Sequence, residues 1–325
     1  MADKLEIPGK LTFDALVATH ERIAAYVHRT PVLTCRSIDE WTGAELHFKC
    51  ENFQKMGAFK MRGAVNALLQ LPKEQLEKGV ATHSSGNFAQ ALALSARMLG
   101  VKAYIVMPSN SPSVKKAAVR GYGGQIIECE PTLQAREDTL QQVVAKTGAT
   151  FVHPFNDEQV ILGQGTAAKE LIEDAGPFDY LVAPVGGGGL CAGTALAARF
   201  LTKGTKTVGA EPLGADDAWQ SMQAGRLIPQ TNPQTIADGL RTSLGDKTFP
   251  VLYHLTESIV RVPETAIIEA LRYILERMKI VVEPSSAVAL AAIKEDPTRF
   301  RGKRVGVILS GGNLDLTLLG EWMRN

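Results

Sequence analysis

A chain of 325 residues has room for about two domains, and an apolar fraction of 45% allows a sizeable core. Its 35 lysines and arginines nearly balance 34 acidic residues, for a formal net charge of +1. That balance gives no broad electrostatic footprint for nucleic acid or an anionic membrane. No uninterrupted apolar run is long enough to span a bilayer, and Met1-Ala2-Asp3-Lys4-Leu5-Glu6 lacks the apolar core of a signal peptide. Cys35, Cys50, Cys129 and Cys191 are widely spaced and form no Cys-x-x-Cys pair. They read as small buried thiols in a reducing compartment, and a cytoplasmic location is expected.

In chain order, residues 11–28 read as an amphipathic helix, and Thr30-Pro31 then forces an extended segment. A strand-like run at 45–50 leads through Glu51 to Gly57 into a helical pattern from Ala58 to about Leu71. From Gly79 one rhythm repeats: strands at 80–84, 102–107, 125–130 and 150–153, with helices at about 87–99, 112–121 and 132–147 between them. It returns with a helix at about 163–175, a strand at 180–185, a helix from Leu190 and a strand at 206–211. Residues 259–262 read as a strand, 264–278 as a long helix and 304–309 as the last strong strand. Alternation at this spacing predicts parallel sheets covered on both faces. There is no low-complexity linker and no tandem repeat, and two α/β layers fit better than one.

Within the 58–71 helix, Arg62, Asn66 and Gln70 form a polar stripe, which predicts the solvated side. Lys60 instead shares a face with Ala64, Ala67 and Leu71. A lysine there can snorkel past small residues. It can equally be an amine with a lowered pKa, usable as a Schiff-base nucleophile. Three unusual segments bear on the choice. Ser84-Ser85-Gly86-Asn87, Gly186 to Gly189 and Ser310-Gly311-Gly312-Asn313 all follow the carboxyl ends of apolar strands. In open parallel sheets that edge binds ligands, and the helix N-termini beyond it suit an anion.

One anionic ligand that the pattern admits is a dinucleotide. Gly187-x-Gly189-x-x-Ala192 fits the relaxed fingerprint, and Glu211 ends the next strand like a ribose-binding acid, so an NAD-dependent dehydrogenase is the reading from another enzyme class. It leaves Lys60 and the serine-glycine loops without roles. A phosphate-loop nucleotidase is weaker, because no Gly-Lys-Ser/Thr follows the glycines. A nucleotide-binding regulatory protein is the non-enzyme option.

The segments together resemble a known family. Asn52-x-x-x-x-Gly57-Ala58-Phe59-Lys60-x-Arg62-Gly63, Ser84-Ser85-Gly86-Asn87, the tetraglycine loop and Ser310-Gly311-Gly312-Asn313 look like fold-type II pyridoxal-phosphate enzymes. Within these, the likeness is to the serine/threonine dehydratase and serine racemase group, including threo-3-hydroxyaspartate dehydratases. It covers nearly the whole chain with every motif in order. The resemblance implies a tryptophan synthase β-like α/β fold, with two open, twisted, mainly parallel sheets flanked by helices. It divides the chain into a large cofactor-binding domain, residues 1–78 plus 154–325, and a small mobile domain, residues 79–153.

The same resemblance implies residue roles. Lys60 would carry pyridoxal 5'-phosphate and move a proton at the substrate α-carbon, with Phe59 against the cofactor ring or simply in the core. Gly186, Gly187, Gly188 and Gly189, with Leu190 beyond them, would wrap the phosphate. Ser310 would hydrogen-bond the pyridine nitrogen as a hydroxyl donor, leaving a weaker electron sink than an aspartate would give. Asn87 would contact the ring hydroxyl, while Ser84, Ser85 and Gly86 would offer donors to the substrate carboxylate. Ser85 would also be the second acid–base group, opposite Lys60, if the enzyme racemises serine or aspartate.

Glu211, the Ala215 carbonyl and Asp217 resemble the family's site for Mg²⁺, Ca²⁺ or Mn²⁺. Arg136 would meet a second acidic group on a substrate such as 3-hydroxyaspartate, or else pair on the helix surface with Glu137 or Asp138. Phe88 stands where the family most often has histidine. No regulatory domain is expected after Asn313. Gln90, Lys115, Tyr122 and Asn313 match positions that bind nucleotide between subunits in animal racemases, so a homodimer and ATP as effector enter as expectations, beside ordinary polar contacts at a subunit interface. The expected activity is a dehydratase (ammonia-lyase) acting on serine, threonine or threo-3-hydroxyaspartate.

Overall fold

A computed structural model describes residues 5–324; Met1 to Lys4, part of the signal-peptide reading, lie outside them. Among the described residues ten strands form two sheets: β1 (Val32–Leu33), β2 (Glu45–Cys50), β3 (Val80–His83), β4 (Ala103–Pro108), β5 (Gln125–Cys129), β6 (Thr150–Phe151), β7 (Tyr180–Pro184), β8 (Lys206–Pro212), β9 (Thr256–Val262) and β10 (Arg304–Leu309). The larger sheet has the order β1-β2-β10-β7-β8-β9, and the smaller β5-β4-β3-β6. Only the short β1 runs antiparallel to its neighbour. The expected architecture is present. β10 draws the two ends of the chain together, pairing in parallel with β2 on one side and β7 on the other.

β7 and β10 are buried along nearly their whole length, because helices cover both faces of the large sheet. On one face Ile267, Leu271, Val288 and Leu290 pack against Phe48, Val182 and Val307; on the other Leu162, Leu171 and Leu196 meet Leu181, Ala183 and Ile308. The helix Lys60–Leu69 joins the two sheets. Met61, Ala64, Val65 and Leu68 enter a core with Val80, Phe88, Leu92 and Ile105 of the four-stranded region.

Its opposite side corrects the sequence expectation. Arg62 and Asn66 are fully buried and only Gln70, at the helix end, is exposed, so most of the polar stripe is not the solvated side. It lies against the helix Glu158–Ala175, whose own polar residues receive it. Arg62 donates to both oxygens of Glu51 and of Glu170, each bond at 2.8 Å, and to Thr166 at 3.1 Å. Asn66 donates to the Gln159 carbonyl at 2.8 Å. Burial alone would raise the Glu170 carboxyl, but His20, Arg62 and Lys49 hold it well below the usual range.

Glycines set how closely these helices approach. A Cβ on Gly163 would lie 2.5 Å from the Gly63 Cα, and one on Gly193 would lie 2.5 Å from the Gly165 nitrogen. Three helices, Lys60–Leu69, Glu158–Ala175 and Gly189–Leu201, therefore stack backbone against backbone. That stack fixes the start of the Lys60 helix relative to the tetraglycine loop. Two predicted boundaries also move. The helix expected from 163 starts at Glu158, where Asp157 accepts the N–H groups of Gln159 and Val160. The helix expected over 11–28 ends at Ile23. All four cysteines are free thiols, and burial pushes Cys50 and Cys191 up to about 12. No helix among the described residues is long and apolar enough to cross a membrane.

Candidate active site

The carboxyl ends of β3, β7 and β10 open onto one cavity of about 600 Å³. Phe59, Lys60, Ser84, Ser85, Gly86, Asn87, Arg136, Gly186, Gly187, Gly188, Gly189, Leu190 and Ser310 all line it. Glu211, Ala215 and Asp217 do not; Glu211 and Asp217 lie near one another, with Asp217 against the loop whose Leu244 backs Gly188.

Backbone pairing explains how distant segments meet. The Phe59 N–H donates to the Ser310 carbonyl at 3.0 Å, the Gly312 N–H to the Gly57 carbonyl at 2.9 Å, and Ala58 bridges Gly311. A Cβ on Gly311 would strike Ala58 at 2.8 Å and the Glu283 carboxylate at 2.9 Å. Lys60 begins its helix directly after this junction, beside Ser310. The Ser310 hydroxyl is 3.1 Å from that of Ser286. Ser286 also accepts the Gly311 N–H and has the Gly311 carbonyl within reach, at 2.7 Å in both cases. Ser286 has one proton and two neighbouring acceptors, the Gly311 carbonyl and the Ser310 hydroxyl; where it donates to Ser310, the Ser310 proton is left for a ligand.

Lys60 Nζ donates to the Pro154 carbonyl at 2.9 Å and lies 4.9 and 5.8 Å from the Phe59 and Phe88 ring centres. No carboxylate pairs with it among the described residues. Burial lowers the amine to about 8, with the Glu283 charge acting in the opposite sense. Phe88, the departure from the family pattern, thus forms part of the apolar wall around the amine.

The tetraglycine loop closes the far side. Gly186, Gly187 and Gly188 donate their N–H groups to no protein acceptor among the described residues. The first turn of the helix Gly189–Leu201 leaves its own N–H groups free as well. Together they form an anion cradle. The glycines are required from behind as well as in front: a Cβ on Gly187 would enter the Phe155 ring at 2.3 Å, and one on Gly188 would meet Leu244 at 2.7 Å.

The Asn87 amide nitrogen donates to both oxygens of Glu283 at 3.0 Å, and its carbonyl accepts from Asn313 at 3.0 Å. Glu283 is the main residue that the sequence reading missed. Burial, reinforced by the Asp238 charge, raises its carboxyl to about 7. It precedes the helix Pro284–Glu295, which is buried on nearly every side and so shows no amphipathic stripe. His83 and His153 also line the cavity and were not singled out. Arg136 has no ion pair with Glu137 or Asp138; its Nε donates to the Thr132 carbonyl at 3.4 Å, and no carboxylate holds it among the described residues. At the cavity rim Lys115 pairs with Asp238.

Glu211 corrects the dinucleotide reading. It is fully buried and its oxygens accept the N–H groups of Ala218 and Trp219 at 3.0 and 2.9 Å, so it cannot reach a ribose in the cavity. Asp217 accepts the Leu244 N–H at 3.0 Å through one oxygen, while the other is buried with no hydrogen-bond partner among the described residues. Burial, with the Asp217 charge second, holds Glu211 well above the usual range, and burial raises Asp217 to about 7. Two buried carboxylates, one with an orphaned oxygen, are a donor set that a hard cation would neutralise.

Fold and cavity define an open α/β enzyme with a reactive amine opposite an anion cradle. The sequence matches the profile of the family described as pyridoxal-phosphate dependent enzyme over residues 23–311, and the chain belongs to that family. A "beta-hydroxyaspartate dehydratase" of Paracoccus denitrificans is 49% identical over 95% of this chain and 98% of its own. A "Serine racemase" of Dictyostelium discoideum is 46% identical over 98% and 99%, and the crystal structure of that organism's serine racemase superposes with a TM-score of 0.90, at 47% identity over 94% and 99%. An "L-threo-3-hydroxyaspartate ammonia-lyase" of Saccharomyces cerevisiae is 44% identical over 94% of both chains. The amine, the unpaired cradle and the Ser310 hydroxyl fit the aldehyde, phosphate and ring nitrogen of pyridoxal phosphate.

Proposed function

We propose that this chain is a pyridoxal-phosphate-dependent ammonia-lyase converting a β-hydroxy-α-amino acid to a 2-oxo acid and ammonia. Threo-3-hydroxyaspartate, serine and threonine make up the substrate class. One observation carries the reading: Lys60 Nζ, with no acid partner among the described residues, shares a cavity with the tetraglycine N–H groups, which have no acceptor among them, and with Ser310. The dehydratase and ammonia-lyase relatives support it. When bound, pyridoxal phosphate supplies the electron sink that makes a substrate α-proton removable.

The chain's own residues do the rest. Gly186 to Gly189 and Leu190 would hold the phosphate, Phe59 would wall the ring, Asn87 would contact the ring hydroxyl and Ser310 would offer its hydroxyl to the ring nitrogen. Ser84, Ser85 and Gly86 bind the α-carboxylate at the start of the helix Asn87–Met98. An amine near 8 is matched to removing and returning a proton at Cα close to neutrality. In elimination the proton removed from Cα and the β-hydroxyl together leave as water, and the released enamine takes up water to give the 2-oxo acid and ammonia. Arg136, free of carboxylate partners, would meet the second carboxylate of 3-hydroxyaspartate.

A second reading, racemisation of serine or aspartate, rests on Ser85. Its hydroxyl lines the cavity with Lys60 and makes no hydrogen bond to the protein among the described residues. A substrate panel scored for both 2-oxo acid release and enantiomer exchange tests the two together. The lyase reading predicts 2-oxo acid from at least one β-hydroxy substrate; no release from any of the three overturns it. Ser85→Ala should abolish exchange and spare part of the elimination if Ser85 is a second acid–base group. Equal loss would leave it as a carboxylate ligand.

Three further features belong to this proposal. Glu211, Asp217 and the Ala215 carbonyl would hold Mg²⁺, Ca²⁺ or Mn²⁺ as a structural ion, with Asp217 bracing Leu244 behind Gly188. Residues 79–153 would form the small mobile domain on the larger one, 1–78 plus 154–325, in a homodimer. The nucleotide expectation has less behind it: Lys115 is engaged by Asp238, and Asn313 by Met56 and Asn87, as ordinary polar contacts would be.

A further inference from the structure

We propose that His153 is a positioning residue for Lys60: an imidazole with a bare Nδ1 and its proton on Nε2, it closes the turn 153–156 that presents the Pro154 carbonyl to the reactive amine. The inference rests on the reading of Lys60 given above.

The tautomer follows from the donors. The backbone N–H groups of Phe155 and Asn156 point to His153 Nδ1, at 3.3 and 2.9 Å. A backbone N–H can only donate, so Nδ1 must be the bare acceptor and the proton must sit on Nε2. Protonating Nδ1 would break both bonds and leave two N–H groups facing a proton. The surroundings act in the same direction. Burial first, then the charges of His83, Lys60 and Lys247 against an opposing Asp246, hold the imidazole down to about 4.

The turn touches each working part of the cavity. Pro154 accepts from Lys60 Nζ at 2.9 Å. The Phe155 ring packs edge-on against His153, with centres 4.6 Å apart, and fills the space beneath Gly187. Asn156 accepts the Lys247 N–H at 2.9 Å and donates to Asp246 at 2.6 Å, fixing the loop whose Leu244 backs Gly188. A lysine side chain has four rotatable bonds, and here the Pro154 carbonyl is its sole hydrogen-bond partner among the described residues. Whatever holds that carbonyl sets where the amine waits whenever it is free of the cofactor. Among the described residues no other side chain accepts the 155 and 156 N–H groups that close this turn.

The test has two parts. In histidine-labelled holoenzyme, nitrogen NMR should show the His153 signal, identified by its loss in His153→Asn, as the Nε2–H tautomer with no titration between about pH 5 and 8. A proton on Nδ1, or titration near the ordinary value of about 6.5, overturns the proposal. In kinetics, His153→Leu should lower kcat by about tenfold or more with KM changed less than about threefold. His153→Asn, whose side-chain oxygen can replace Nδ1 as acceptor, should recover most of kcat. The acylation rate of Lys60 in the cofactor-free protein should shift its pH dependence in the leucine variant and not in the asparagine variant. Wild-type kcat in the leucine variant, or no recovery in a folded asparagine variant, overturns the proposal. If the leucine variant does not fold, the wild-type tautomer decides. Failure of the underlying reading is seen separately, as cofactor attached to a lysine other than Lys60.

Discussion

Replacing Lys60 with methionine removes a cationic centre from an apolar wall while keeping most of the side chain's volume. Burial moves the amine from 10.5 to about 8, which corresponds to about 3 kcal/mol against the charged form. The direction with pH follows from proton counts. Between about pH 8 and 10.5 the unfolded chain keeps a proton on this lysine that the native chain has lost, so native stability rises with pH across that window. Below about pH 8 the native protein carries the full penalty. Cofactor-free Lys60→Met should therefore be more stable than cofactor-free wild type by up to about 3 kcal/mol near pH 7, and the gap should close toward pH 10.5. Urea unfolding of the two proteins at several pH values measures this directly. A gap independent of pH, or a methionine variant less stable at neutrality, would refute the claim that Lys60 is a desolvated amine.

Other outcomes follow from the same geometry. Arg62→Met leaves Glu51 and Glu170 buried without their guanidinium and should lower stability by about 3–5 kcal/mol; a loss below about 1 kcal/mol would show the network to be solvated. EDTA should lower the melting temperature by about 2 °C or more if Glu211 and Asp217 hold a cation, with recovery on adding Mg²⁺, Ca²⁺ or Mn²⁺. An unchanged melting curve removes that site. Arg136→Ala should reduce kcat/KM for threo-3-hydroxyaspartate by about 10–100-fold while serine turnover falls less than about threefold; equal losses contradict a role in recognising the second carboxylate.

The cavity was legible in the sequence where chemistry-bearing residues sit at strand ends. Ser84 to Asn87, Gly186 to Gly189 and Ser310 each follow an apolar run, and parallel strands bring such loops to one edge. Lys60 stood out because periodicity set it among small residues. The same periodicity misplaced Arg62 and Asn66, because a polar stripe is taken for a solvated one unless a second polar surface meets it. Here Gln159, Thr166 and Glu170 supply that surface from a helix about 100 residues away in the chain. Glu283 and His153 left no local signal. One precedes a helix without an amphipathic stripe, and the other acts through backbone N–H groups that any residue would possess. The doubled reason for the glycine loop, Phe155 and Leu244 behind it as well as an anion before it, needed coordinates. The cofactor's identity came from the resemblance of the joint motifs to a family, which the family match bears out; no single spacing in the chain encodes it.

The central claim is that Lys60 is the residue that carries pyridoxal phosphate. The holoenzyme should be yellow, bleach on addition of borohydride, and yield after proteolysis a single cofactor-bearing peptide modified at Lys60. A label on any other lysine, or a colourless protein that takes up no pyridoxal phosphate, would contradict the account.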